Sequence, residues 1–147
     1  MPTEITTVIN KLKAVRASIP QIVLDIVREN EPFVIELQQG QLNEGIDSKG
    51  QQIKPSYAAS TIARKKRKGQ PFNRVTLRDE GDFYKSFDIV YNNPNGTFIM
   101  KATDFVRQYL VKRYGEDIEG LTPESIETIS KKIANRLIEV IQEKIDS

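Results

Sequence analysis

The sequence predicts an α+β fold: a mainly helical single domain over 1–147, with one antiparallel β-hairpin, a long polar arm over 45–80 and a long C-terminal helix. Three observations carry this. Apolar residues recur at helical spacing near both ends of the chain. Two alternating runs, Phe87-Ile89-Tyr91 and Phe98-Met100, flank the turn-forming stretch Asn92-Asn93-Pro94-Asn95-Gly96. Between the first helices and that hairpin lies a stretch rich in Gly, Pro and charge, with few apolar residues.

The first helix is predicted from Ile5, Val8, Ile9, Leu12 and Val15, which share one helical face. Pro20 fits the first turn of a helix, so a break is expected there, with Ser18 or Ile19 as cap. A second helix then uses Ile22, Val23, Ile26 and Val27, followed by Phe33, Val34, Leu37 and Leu42. Pro32 has no amide donor and should kink or split it, and Gly45 should end it. Asp47-Ser48-Lys49-Gly50 reads as a tight turn. Gln51 to Pro55 should be extended, since residues before proline avoid the helical region. Ser56 to Lys66 is predicted helical, with Tyr57, Thr61 and Ile62 inward, and Gly69-Gln70-Pro71 stops it. Val75 and Leu77 suggest a short extended piece. Asp79-Glu80-Gly81-Asp82 turns into a short helix with Phe83 and Tyr84. After the hairpin, Phe105, Tyr109 and Leu110 suggest a helix ending at Gly115. Thr122 caps the last helix, Pro123 opens it, and Ile126, Ile129, Ile133, Leu137, Val140, Ile141 and Ile145 form its stripe.

Composition narrows the chemistry. The 147 residues suit one domain, long enough to bury roughly two-thirds of its unfolded surface. There is no Cys, so disulfides and thiolate sites are excluded. There is no His, so Ser-His-Asp and Cys-His centres cannot be built, and the usual zinc ligands are absent. Only carboxylate-based metal chemistry passes this filter. The start, Met1-Pro2-Thr3-Glu4, lacks the basic and apolar pattern of a signal peptide, and no stretch reaches the ~20 apolar residues of a membrane span. A soluble protein made in a cytosol is expected.

The densest local signal is Arg64-Lys65-Lys66-Arg67-Lys68 with Arg74 and Arg78, seven cations in fifteen residues. Three readings stand side by side: a solvated helix face, a surface for an acidic partner protein, and phosphate contact through counterion release. No aromatic RNA-recognition motif accompanies it, which argues against sequence-specific reading. The net charge of +2 adds little to the nucleic-acid reading. Asp47, Asp79, Glu80 and Asp82 are the carboxylates for a hypothetical metal-dependent hydrolase, but they lack calcium-loop spacing. Gly45, Gly50 and Gly69 form no phosphate-cradling loop, because Gly69 follows Lys68.

One ordered series spans the middle of the chain. Gly45-Ile46-Asp47-Ser48-Lys49-Gly50-Gln51-Gln52-Ile53 is followed by Pro55-Ser56-Tyr57, Ser60-Thr61, Lys65-Lys66 and Gly69-Gln70-Pro71. Val75-Thr76-Leu77-Arg78-Asp79-Glu80-Gly81-Asp82-Phe83-Tyr84-Lys85-Ser86-Phe87 completes it. This order resembles the neck, head-tail connector, tail-completion and virion-morphogenesis proteins of tailed bacteriophages. In those proteins a G-D-G-x-x-W/I-x-P-L segment leads to S-T-x-x-x-K and then to L-x-D-T-G-x-L/F-x-x-S. The flavour is that of phages and prophages of Bacteroidetes-type gut bacteria, including crAss-like phages. Glu80 stands where Thr is common, and Ile53 where many relatives have Trp.

The resemblance covers about residues 40 to 92, and more weakly Tyr114-Gly115 and Leu121 onward. It implies a non-enzymatic structural subunit without cofactor, forming a sixfold or twelvefold ring at the capsid–tail junction. Its implied partners are copies of itself and portal, neighbouring neck-ring or tail proteins, with no membrane. Its implied location is the neck or tail region of the virion, after assembly in the bacterial host cytoplasm. Asp47, Gly50 and Gly81 then read as turns of a partner-binding arm, and Tyr57, Leu77, Phe83 and Phe87 as its anchors. Arg64 to Lys68, Arg74 and Arg78 would meet protein or, without sequence preference, genomic DNA. The alternative is a small sequence-independent nucleic-acid-binding protein acting through Arg64 to Lys68.

Overall fold

The structure, a computed structural model, describes residues 4–92 and 94–147; Met1, Pro2, Thr3 and the Asn93 of the expected hairpin turn lie outside the described residues. Among the described residues the order is α1 (Glu4–Glu29), α2 (Glu31–Asn43), α3 (Ala59–Arg67), α4 (Asp82–Lys85), β1 (Phe87–Asn92), β2 (Thr97–Ala102), α5 (Arg107–Tyr114), a 3-10 turn (Glu116–Ile118) and α6 (Pro123–Asp146). The fold is α+β and mainly helical, with one antiparallel hairpin and a long C-terminal helix.

The expected break at Pro20 does not occur: α1 runs through it. An interior proline removes one helical hydrogen bond and costs about 3 kcal/mol. Burial of Ile22, Leu24, Ile26 and Val27 just beyond it offsets that cost, at about 1.5–3 kcal/mol for each fully buried large side chain. The Ser18 hydroxyl, expected to cap a new helix, instead donates to the Val15 carbonyl at 2.8 Å. The second helix therefore starts later than expected. Asn30 separates α1 from α2, and Pro32 sits in the first turn of α2, where its missing amide costs nothing.

Gly45 ends α2 in the left-handed region, with its amide on the Leu42 carbonyl and that of Ile46 on Gln41. In the hairpin, Phe87 faces Ala102, Ile89 faces Met100 and Tyr91 faces Phe98 on the inner side. Val90 and Ile99 pair on the outer side. Gly96 at the hairpin tip lies so close to Pro20 that a Cβ there would stand 3.0 Å from the proline ring. α6 opens with the Thr122 hydroxyl accepting the Ser125 amide at 3.2 Å, as expected of this cap. It packs antiparallel to α1: Glu29 meets Arg136 at 3.5 Å, while Lys11 donates to the Ser147 carbonyl at 2.7 Å.

The core lies where α2, the inner hairpin face and the 75–87 segment meet. Val34, Leu42, Ile53, Val75, Phe87 and Ile118 are buried there, and Phe83 sits edge-to-face on Phe87 at 5.1 Å. Two elements depart from expectation. α3 begins at Ala59, so Tyr57 precedes it. Val75 to Leu77 is not a strand, because its backbone is bonded by side chains.

Candidate interaction surface

The 75–79 return segment has buried side chains but no neighbouring strand, so its peptide groups need other partners. The Tyr57 hydroxyl accepts the amides of Thr76 at 2.9 Å and Leu77 at 3.2 Å. The Tyr84 hydroxyl donates to the Thr76 carbonyl at 2.6 Å. The Lys65 ammonium donates to the Arg78 carbonyl at 2.6 Å, and the Gln70 amide group to the Asp79 carbonyl at 2.6 Å. Leu77 adopts a φ of 59°, a region unfavourable for a side chain by roughly 1–2 kcal/mol. The surrounding bonds hold it there, and its side chain, like those of Phe83 and Phe87, is buried.

This arrangement divides the basic cluster. Lys65 is 3% exposed, its ammonium taken by Arg78 and 5.0 Å from the Tyr57 ring centroid. The expectation that it faces a partner or DNA is corrected: an amphipathic helix of this length turns one lysine of the run inward. Arg74 is half-buried, donating to the Asn43 carbonyl and the Asn73 side chain, both at 2.7 Å. It braces the end of α2 against the return segment. Arg64, Lys66, Arg67, Lys68 and Arg78 are exposed. Lys66 lies over the Phe72 ring at 4.7 Å, and Arg78 near the Tyr84 ring at 5.7 Å.

Between α3, the return segment and α5 lies an open cleft of about 530 Å³. Leu77, Phe83, Val106 and Leu110 give it an apolar floor. Its rim carries both signs: Arg64, Arg78 and Arg113 beside Asp79, Glu80, Asp82 and Asp104. Lys68 bonds Asp79 at 2.9 Å and holds that carboxyl below its ordinary range, helped by the charges of Arg64 and Lys65 and opposed by burial.

The carboxylates named for a hydrolase are spent locally or spread along this rim. Asp47 Oδ1 accepts the amides of Lys49 and Gln51, both at 2.9 Å, which makes it the organiser of its own turn. Gly50 closes that turn at positive φ. The turn docks on the 3-10 segment through the Ser48 amide and the Asp117 carbonyl at 2.8 Å, and through Lys49 and Asp117 at 3.2 Å. Among the described residues, no three acidic side chains are grouped closely enough to hold a metal ion. No helix there is long and apolar enough to cross a membrane.

Several organising residues carry little sequence signal. Gln38 and Gln41, one turn apart on α2, are buried and read the chain before α6. Gln38 accepts the Gly120 amide at 2.8 Å; Gln41 accepts the Thr122 amide at 2.9 Å and donates to the Gly120 carbonyl at 3.0 Å. The only hint is that both stand in register with Val34 and Leu42. Glu119 grips Arg107 through two bonds and also accepts the Ala102 amide at 2.7 Å, tying β2, α5 and the 3-10 turn together. Comparison with protein-family models, curated proteins and solved structures finds no match to this chain.

Proposed function

We propose that this chain is a structural subunit of a tailed-bacteriophage particle, joining a ring at the capsid–tail junction and working by assembly rather than turnover. What supports this most is the use made of the Gly45–Phe87 series, the part that resembles neck and tail-completion proteins. Its distinctive residues shape backbone: Gly45 lets α2 end against Arg74, Asp47 builds a turn, and Tyr57 holds the return segment. The product is a braced platform presenting α3 and a cleft with an apolar floor and a two-signed rim. Such a surface suits a protein neighbour, whose own charges can be matched singly. Mass spectrometry of purified virions from a phage encoding this chain tests the reading. Peptides of the chain in mature particles, at a fixed ratio to portal and tail proteins, are expected; their absence rejects the proposal.

A second reading is contact with nucleic acid, favoured by four exposed cations, Arg64, Lys66, Arg67 and Lys68, at the end of one helix. Asp79, Glu80 and Asp82 beside them oppose a polyanion, which ranks it second. Gel-shift at low salt with single- and double-stranded DNA and RNA tests it: retention lost steeply with added salt supports it, and no retention ends it.

A further inference from the structure

The hairpin leaves one strand edge open. In an antiparallel pair, every second residue points its amide and carbonyl at the partner strand, and the residues between point theirs away. The Thr103 amide donates to the Ser86 carbonyl at 3.0 Å, so that pair faces inward. By the register, Lys101 and Ile99 also face β1, while Ala102, Met100 and Phe98 face away from it. Outward amides on both strands bear this out: Ala102 donates to Glu119 at 2.7 Å, and Ile89 to the Asp88 side chain at 2.8 Å. The amides and carbonyls of Phe98 and Met100 have no hydrogen-bond partner among the described residues.

That edge opens into a groove of about 560 Å³ between β2 and the first half of α6. Phe98 and Met100 lie on one side of it, and Leu121, Ile126, Ile129 and Ile133 on the other. Met100 is only 7% exposed. Backbone groups at such positions are nearly always bonded, because burial has already taken their water. A two-stranded sheet also falls short of the three strands that make a sheet self-supporting. The groove has fixed ends. At one, Gly96 rests on Pro20; at the other, Glu119 holds both Ala102 and Arg107. The charge of Glu119 is thereby spent on Arg107, and no other side chain lining the groove is ionisable.

We propose that this groove takes an extended, uncharged segment of another protein as a third strand beside β2. Strand addition offers backbone groups at every second residue, which is the spacing of the free groups on Phe98 and Met100. Apolar side chains at alternate positions of the segment then meet Ile126, Ile129 and Ile133. A charged segment is excluded, because its charge would be desolvated against isoleucine without a partner. A helix is excluded too, since its backbone groups are already paired within it. So is the β2 edge of a second copy, which carries its own α6 alongside and cannot enter the same groove. Nor is β1 a donor, as its outward Ile89 amide is turned onto Asp88. The surface is separate from the cleft at α3, and the inference stands without the ring reading.

Amide exchange followed by nuclear magnetic resonance on the full wild-type chain tests it. The probe is a capped synthetic peptide alternating valine and threonine. In the free chain, Ile99 and Lys101 are expected to be protected by β1, and Phe98 and Met100 to exchange faster. With about nine-tenths of the chain bound to the peptide, exchange at Phe98 and Met100 should slow about tenfold. Peak shifts should centre on β2 and on residues 126–133. Two further probes carry N-methyl groups on the valines alone or on the threonines alone. An added strand bonds through one alternate set of residues, so one of these should bind and the other should not. Binding by both, or by neither, overturns the strand geometry. Phe98 and Met100 amides already protected in the dilute free chain overturn the open edge. Protection that rises with protein concentration alone identifies a second copy as the occupant and overturns the proposal. No shift at any soluble peptide concentration, or shifts confined to the α3 cleft, overturns it as well.

Discussion

The ammonium of Lys65 lies 2.6 Å from the carbonyl oxygen of Arg78, so the middle of the basic run is part of the core's support. Replacing it leaves that carbonyl without its partner. Lys65→Met, which keeps the apolar stem, is expected to cost about 1–3 kcal/mol. Lys66→Met, on the exposed side of the same helix, should stay within about 0.5 kcal/mol of wild type. Urea unfolding of the two variants in parallel measures the difference. Equal midpoints contradict the division of the cluster into one structural and several surface cations.

Tyr84 ties stability to alkaline pH. Burial raises its pKa well above the ordinary 10.0, with a smaller upward push from Tyr57 and downward ones from Arg78 and Arg74. The folded phenol thus holds its proton more tightly than the unfolded one. Its contribution is complete below pH 10 and declines as pH rises through the folded value. Tyr91, also raised, by burial and then by its bond to Glu31, acts in the same direction. Unfolding midpoints measured on both sides of pH 10 should fall for wild type and fall less for Tyr84→Phe. The variant should also lose about 1 kcal/mol at neutral pH, since the Thr76 carbonyl is left unpaired. A variant with the wild-type alkaline slope would show that Tyr84 ionises freely.

Gly45 and Gly50 both have positive φ but differ in surroundings. A Cβ on Gly45 would stand 2.9 Å from Arg74 Cβ and 3.3 Å from the Val75 carbonyl oxygen, whereas one on Gly50 meets nothing within 4 Å. Gly50→Ala should therefore cost about 1 kcal/mol from backbone strain alone. Gly45→Ala should cost clearly more, because the return segment must move away from α2. Gly50→Asn should be nearly neutral, as Asn tolerates this region. Thermal unfolding of the three variants tests the ranking, and a Gly45→Ala no worse than Gly50→Ala refutes the close approach.

These residues also show where sequence is readable. Thr122-Pro123 and the Phe87-Ile89-Tyr91 alternation are local signals, and local structure follows them. Pro20 is a local signal too, but tertiary burial around Leu24 and Ile26 overrides it. Ile126 belongs to the α6 stripe by spacing, yet it is half-exposed, because periodicity gives a face and not what covers it. Lys65 and Lys66 differ only by rotation about α3, and a run of five cations hides which one turns inward. The Gln38–Gly120 and Tyr57–Thr76 bonds span distant parts of the chain and use residue types found on any surface. Tertiary geometry alone reveals them.

Glu119 and Arg107 form the least exposed ion pair among the described residues, and the pair locks the end of the hairpin to α5. Nη2 stands 2.5 Å from Oε1 and Nε 2.7 Å from Oε2, with the glutamate side chain 9% exposed. The bond to Glu119 raises the pKa of Arg107, against the effect of burial, so the charge persists at every working pH. Removing one partner strands the other. Glu119→Ala is expected to cost about 3 kcal/mol, at the low end for buried pairs because Arg107 keeps some access to water. Arg107→Met/Glu119→Leu should recover much of this, since both charges leave together. It should still fall about 1 kcal/mol short of wild type, because the Ala102 amide also loses its acceptor. A double-mutant cycle by urea unfolding separates these contributions. Additive single losses would mean that the two side chains do not depend on each other and that the hairpin end is held by its packing.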